Sequence, residues 1–383
     1  MKKILLIILC ILLVSCSKEI NIQNTVTENN NNGKIYWGFV EDTLYISSCE
    51  SDNAKKSFSI DYAPKTYDDV PWMKFEKEIK KIIIIDCEKK VKPKSMAFWF
   101  SLGKLESITG LDNLDTSEVV DMQSLFEACG LEGIDLSTFN TSNVTNMKSM
   151  FYGTNFKNID LSYLDTSNVE NMMQMFGACE FEEIDLSAFN TQNVTNMQYM
   201  FGWSSNVKNL DLSSFNTEKV INMAGMFSAC TGLKTVNVSS FNTINVERMD
   251  GMFSSCSSLQ SIDLSNFDTK NTRSFDLMFL DCDSLQLLDL SNFDTGNATD
   301  MRGMFFSCGS LKDLNITSFN TSNVTDMSHM FGFDTYDTPN EYIKNIDISH
   351  FNFDNEETIC SDSEIDKYDY LFGQCIYAGL VEY

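Results

Sequence analysis

Cysteine, histidine and carboxylate are the side chains of this chain that could do chemistry, and their spacing decides which kind. Twelve Cys and two His occur among 383 residues. Cys129, Cys179, Cys230, Cys256, Cys282, Cys308 and Cys375 each stand three residues after a Phe, with Thr154 and Ser204 at the same position in other units. No Cys-x-x-Cys or His pair accompanies them, so the pattern does not make a zinc site. Equivalent side chains in stacked units point the same way, which opposes the torsion of a disulfide. These residues are expected to be free thiols packed as small hydrophobes. Cys49, Cys87 and Cys360 lie off this register, and a Cys49–Cys87 bridge stays open. His329 and His350 occupy unrelated positions. Carboxylates are plentiful, but a repeating tract offers no unique converging pair of the kind a glycosidase uses. There is no Gly-rich phosphate loop and no nucleophile elbow. The chain is therefore read as a non-enzyme, with no cofactor and no metal.

What positions these residues is a block of about 25 residues repeated ten times. The aliphatic residue of its Asp-Leu-Ser phrase falls at Leu111, Leu136, Leu161, Leu186, Leu212, Val238, Leu264, Leu290, Ile316 and Ile348. The steps are 25, 25, 25, then five of 26, then 32. Each unit has two halves. Leu259-x-x-Ile262-x-Leu264 alternates as a half-buried strand does. Val144-x-x-Met147-x-x-Met150-Phe151 has the spacing of one face of a short helix. Between them an Asn or Asp, usually followed by Thr, is expected to turn the chain into that helix. The fold expected is an α/β solenoid, a leucine-rich-repeat-like right-handed coil. Parallel strands would line its concave side and short helices its convex side, with a small N-terminal cap.

The rest of the chain divides by composition. Residues 1–15 carry Lys2 and Lys3 before an apolar run too short to span a bilayer, as a secretion signal does. The run ends in Leu13-Val14-Ser15-Cys16, which resembles a bacterial lipobox; that resemblance implies cleavage before Cys16 and lipid on it. Residues 16–33 are polar and Asn-rich and read as a tether. Residues 34–100 read as the α+β cap, with a hairpin from Ile35 to Ile46 and a buried strand at Lys81 to Asp86. Residues 101–383 are the repeats.

The phrase Leu-Asp-Leu-Ser-x-Phe-Asn-Thr-Ser-Asn-Val-Thr-Asn-Met-x-x-Met-Phe resembles the BspA-type leucine-rich-repeat surface proteins of bacteria, over roughly residues 95–383. Thr272, Ala298, Phe275 and Arg248 depart from it locally. The resemblance implies a lipid-anchored protein of the bacterial cell envelope, surface-exposed or extracellular, that binds other proteins or host cells as an adhesin does. It supplies no catalytic residues.

The net charge of −26 repels nucleic acid and anionic lipid as ligands. It also keeps a long repeat soluble, or suits a basic partner. The residue between the strand aliphatics points away from the core and is acidic at Asp135, Asp160, Asp185, Asp211, Asp263 and Asp289. Three readings stand for this stripe: a solvated ladder, a surface for a basic protein, or a weak cation site. Tyr152, Tyr199 and Trp203 lie off the apolar stripe of the other half, as binding hot spots or as local packing. The partners expected are a protein or a host cell-surface or matrix ligand, and a membrane through the lipid of Cys16. The alternative is a structural or antigenically variable coat protein with no single ligand.

Overall fold

Short polar side chains that bond to the backbone of an adjacent unit close each repeat into a coil and join it to the next. The computed structural model describes residues 33–157, 159–334, 342–343, 346–353, 371 and 374–375. The signal, Cys16, most of the tether, Cys360 and the last residues lie outside them.

At the Asn/Asp-Thr corner the Asx side chain accepts the N–H two residues on: Asn140 from Ser142 at 3.1 Å, Asn216 from Glu218 at 3.0 Å. This is the turn such residues favour. The Thr that follows is buried in the nine coils from Thr116 to Thr321. Its hydroxyl grips one residue of the next coil twice. Thr217 Oγ1 donates to the carbonyl of Asn242 at 2.9 Å and accepts that residue's N–H at 2.8 Å. Thr116 holds Asn140 in the same way, and Thr321 holds Asn352. Three residues after the corner Asx, an Asn amide reaches back one coil, as from Asn143 to the Ser117 carbonyl at 2.7 Å and from Asn297 to that of Lys270 at 2.6 Å.

The second half of the coil corrects the expectation of helices. Among the described residues Lys148 to Gly153 and its equivalents form consecutive turns, after a single bridge residue at Asn146. The N–H groups of Ser149 and Phe151 donate to Met173 and Met175 of the next coil at 2.8 and 3.1 Å, while Met150 bonds Met147 within its own. An α-helix cannot do this, because its N–H groups all point along its own axis. Single parallel bridges run through Asp121, Asn146, Asn171, Asn196, Asn222, Arg248, Ser274, Asp300 and Asp326. The turns need a left-handed residue at two positions per coil. They are Ser149 and Gly153 in one coil, Gly225 and Ala229 in another, Leu277 and Asp281 in a third. Left-handed backbone costs an L-residue about 1–2 kcal/mol. Ala229, at φ 57°, is the cleanest place to relieve it. Ala229→Gly is expected to stabilise the protein by about 0.5–1 kcal/mol after the extra freedom of the unfolded glycine is counted, read as a higher urea midpoint. A lower midpoint would show that the alanine methyl does more than occupy space.

Inside the coils lie the Met and Phe ladders. Phe rings stack coil on coil, for example Phe201 on Phe227 with centroids 5.8 Å apart and planes 2° from parallel. Cys129, Cys179, Cys230, Cys256, Cys282 and Cys308 are free and buried, as their spacing implied. They are more than filler. Cys230 Sγ donates to the carbonyl of Phe201 in the preceding coil at 3.1 Å, and Cys256 to Phe227 at 3.2 Å. Ser204 donates the same bond to Phe176 at 2.8 Å, so the position asks for a small buried donor. Burial pushes the Cys230 thiol up to about 12, far from nucleophilic chemistry.

The N-terminal region is a five-stranded sheet in the order β3-β1-β2-β4-β5: Lys34–Val40 (β1), Thr43–Ser47 (β2), Lys56–Ser59 (β3), Lys81–Ile84 (β4) and Ser107–Thr109 (β5). β1 is antiparallel to β2 and β3, whereas β4 runs parallel to β2 and to β5. Thus β5, from the first coil, continues the sheet. Trp72 and Trp99 meet edge-on at 5.3 Å beneath it, with Trp72 Nε1 bonded to the carbonyl of Trp99 at 3.0 Å. Cys49 and Cys87 form a disulfide with Cα atoms 6.4 Å apart.

Regular strand pairing within the repeats is patchy. Asn209–Asp211 (β6) pairs in parallel with Thr235–Asn237 (β7), and Leu287–Asp289 (β8) with Asp313–Asn315 (β9). Farther on, Phe333–Asp334 (β10) pairs with Gln374–Cys375 (β11). Between β5 and β6, no strand pair or bridge joins the phrases at Ile134, Ile159 and Ile184 among the described residues. This stretch also differs from the later coils in repeat length. Coils with the 26-residue step place a buried Val or Leu three residues after the Cys position, as at Val207, Leu233, Leu259 and Leu285, all 0% exposed. The 25-residue coils lack one residue there and offer Phe156 and Phe181 instead. Phe181 stays only partly buried.

Candidate binding surface

The six carboxylates of the Asp-Leu-Ser phrases have a structural duty before any functional one. Asp135 Oδ1 accepts the N–H of Ser137 at 2.9 Å, Asp160 that of Ser162 at 3.0 Å, and Asp185 that of Ser187 at 2.9 Å. Asp211, Asp263 and Asp289 do the same with Ser213, Ser265 and Ser291 at 3.1, 3.0 and 3.0 Å. The Asp-Leu-Ser phrase is thus a second Asx turn in these six coils. All six side chains remain exposed. Hydrogen bonds from the serine hold the carboxyls of Asp135, Asp185, Asp211, Asp263 and Asp289 below the usual range, so they are ionised at neutral pH. Asn237 and Asn315 make the same turn in their coils. The turn therefore needs a side-chain oxygen, and the charge is additional to it. Where an Asn falls beside an Asp it bridges the two, Asn237 Nδ2 donating to Asp211 Oδ1 at 3.0 Å.

Tyr152, Tyr199 and Trp203 lie on the turn half of the coils, apart from these carboxylates. Tyr199 stacks on Trp203 at 4.7 Å and 22°, and Tyr152 meets Trp203 edge-on at 6.4 Å. Tyr199 covers Gly225, where an added Cβ would fall 2.0 Å from its ring. Tyr199 and Trp203 themselves fill the two left-handed positions of their coil, at φ 52° and 64°. The nine candidate residues therefore form two groups on different halves of the coil.

A third group was not singled out from sequence. Arg302 holds the Asp276 carboxylate through two bonds, Nε at 3.1 Å and Nη2 at 3.0 Å. Arg248 holds Asp250 likewise at 2.9 Å. Burial pushes the Asp300 carboxyl up to about 6, with the charges of Asp276 and Asp326 adding to it. The departures from the repeat phrase at Arg248 and Phe275 were the available signal. An acid whose pKa is higher folded than unfolded stabilises the fold when protonated. That contribution is complete below the unfolded value of 3.8 and is lost as pH rises through about 6. Asp300→Asn, which keeps the side-chain oxygen that accepts the Arg302 N–H, is expected to flatten the fall in melting temperature between about pH 4 and about pH 6. A profile parallel to that of the parent would refute this.

Among the described residues no group of three or more His, Cys, Asp or Glu is arranged to hold a metal, and no helix is long and apolar enough to cross a membrane. The model of a family described as "Mycoplasma protein of unknown function, DUF285" matches residues 94–210, 203–288 and 278–361. The chain belongs to that family. The DUF285 matches tile the repeats from the last residues of the cap onward. A solved leucine-rich repeat protein from Eubacterium ventriosum is similar at 12% identity, covering 75% of this chain and 84% of that one, with a TM-score of 0.28. A complex of TLR13 with ssRNA13 is similar at 15% identity over 70% of this chain and 49% of that one, with a TM-score of 0.15. No curated protein matches.

Proposed function

We propose that this DUF285 chain is a lipid-anchored surface protein of the bacterial envelope, held through Cys16. Its coils continue as one leucine-rich-repeat-like solenoid whose strand face binds a basic protein, host surface or matrix proteins among them, without catalysis. The observation that carries the reading is the ladder itself. An exposed carboxylate recurs in six coils, at Asp135, Asp160, Asp185, Asp211, Asp263 and Asp289, although Asn makes the same turn in two others. A row of like charges costs energy when stacked at the spacing of adjacent strands, and a cationic partner offsets that cost. Such a row also speeds encounter with positive surfaces.

The test is saturable binding of immobilised residues 17–383 to a panel of purified matrix and cell-surface proteins. Replacing all six Asp by Asn is expected to leave the fold intact and weaken the interaction at least about tenfold at low salt, through loss of both steering and ion pairs. Binding that ignores salt and survives the six replacements would refute the reading. Absence of any saturable partner would favour the coat-protein alternative.

A further inference from the structure

The lapse in strand pairing leaves an opening where the 25-residue coils meet. A cavity of about 170 Å³ lies between the coils of Phe151 and Phe176. Its walls are Phe151, Phe156, Phe176, Phe181, Ile159 and Ile184, and Thr154 and Cys179 also line it. Phe156 meets Phe151 edge-on at 5.9 Å, and Phe181 meets Phe176 edge-on at 6.3 Å. A dry apolar cavity of about 150 Å³ is large enough to take benzene. The cavity shares Ile159 and Asp185 with a shallower groove of about 390 Å³ that includes Asp160, Ser162 and Ser187.

The charges at the mouth are unequal. Lys157 is engaged by Glu132 at 3.4 Å. Glu183 and Asp185 are exposed and make no ion pair among the described residues, and Asp160 lies one coil away in the groove. A cavity walled by Phe and Ile side chains, with Glu183 and Asp185 as well as Lys157 at its mouth, suits an apolar group carried next to positive charge. Phe156 and Phe181 stand where the coils with the 26-residue step place a buried Val207 or Leu233.

We propose that this opening is the anchor pocket of the strand face, taking one phenyl-sized side chain from a partner segment whose flanking lysines or arginines meet Asp160, Glu183 and Asp185. The assignment rests on the protein-binding reading above and narrows it to one site and one chemistry. In interfaces most of the energy comes from a few anchors seated in pockets, with the rim charges adding register.

Acetyl-Lys-Phe-Lys-amide is the probe, with Lys-Ala-Lys and Glu-Phe-Glu peptides beside it, followed by methyl NMR of Ile159 and Ile184 in the full chain. The first peptide is expected to shift both isoleucines. Its alanine counterpart should bind at least about tenfold more weakly, from loss of the buried ring. The acidic counterpart should be weaker by about tenfold as well, through the reversed charges. Asp160→Asn with Asp185→Asn keeps both turns, as Asn237 shows, and should weaken the basic peptide about threefold to tenfold while leaving the melting temperature unchanged. Ile159→Phe fills the cavity and should abolish the shift of Ile184. Equal binding of the phenylalanine and alanine peptides, or no binding of any, overturns the pocket. Protein capture by the strand face that persists in Ile159→Phe would overturn the pocket and leave the broader reading standing. Capture that survives in the sixfold Asp variant, while the peptide still shifts Ile159 and Ile184 of the parent chain, would do the reverse.

Discussion

Thr217→Val is expected to destabilise the protein by about 2–4 kcal/mol, although it changes no volume and exposes no surface. The hydroxyl it removes serves two backbone groups of Asn242 at once, accepting at 2.8 Å and donating at 2.9 Å. Thr217 is wholly buried, so water cannot replace it, and each orphaned polar group costs about 1–3 kcal/mol. Thr217→Ser keeps both bonds and loses only a methyl, about 1 kcal/mol. Urea denaturation of the two variants separates the explanations. If serine and valine cost the same, the hydroxyl is not what joins these coils. The nine equivalent threonines make the same test available along the stack, and a central coil should be more sensitive than one at an end, since it has two neighbours to lose.

Removing the Cys49–Cys87 disulfide is the second large effect. The bridge closes a loop with a sequence separation of 38 and ties the chain just beyond β2 to the chain just beyond β4. For a loop of this length, the restriction of the unfolded chain contributes about 4 kcal/mol in the chain-entropy account, and about 2–4 kcal/mol is typical in practice. The double variant Cys49→Ala, Cys87→Ala should show that loss as a lower melting temperature. A reducing agent should reproduce it in the parent protein and do nothing further to the variant. The free thiols of the repeats should be silent in this experiment, because burial keeps them protonated and out of reach. Equal stability with and without reductant would refute the assignment. Because β4 pairs with β5 of the first coil, the loosened region is also the one joined directly to the repeats.

Much of the frame was legible because it depends on identity at fixed spacing. The Asn/Asp-Thr corner declared its turn, and the Cys, Met and Phe ladders declared their burial. The helical half did not declare itself. Apolar residues at Val144, Met147, Met150 and Phe151 suit a helix, but they suit equally a chain of turns in which Ser149 and Gly153 go left-handed. The discriminating sign was a Gly two residues after the first Met, at Gly225, Gly251 and Gly303, where a helix interior would avoid one. The Asp stripe was legible as exposed, whereas its turn with the following Ser was hidden because an outward strand residue and an Asx turn share the same pattern. The single-residue difference between steps of 25 and 26 was visible from the start. Its meaning was not, since only the packed coils show Phe156 and Phe181 around an opening.

The threonine hydroxyls, asparagine amides and cysteine thiols connect each coil to its immediate neighbours and to nothing farther. Among the described residues there is no long staple beyond the Cys49–Cys87 loop to share a load along the stack. Coils should then peel away singly, each event paying out about 80–90 Å of extended backbone. Pulled along its stack, the chain is a graded tether that lengthens in near-equal steps before it lets go.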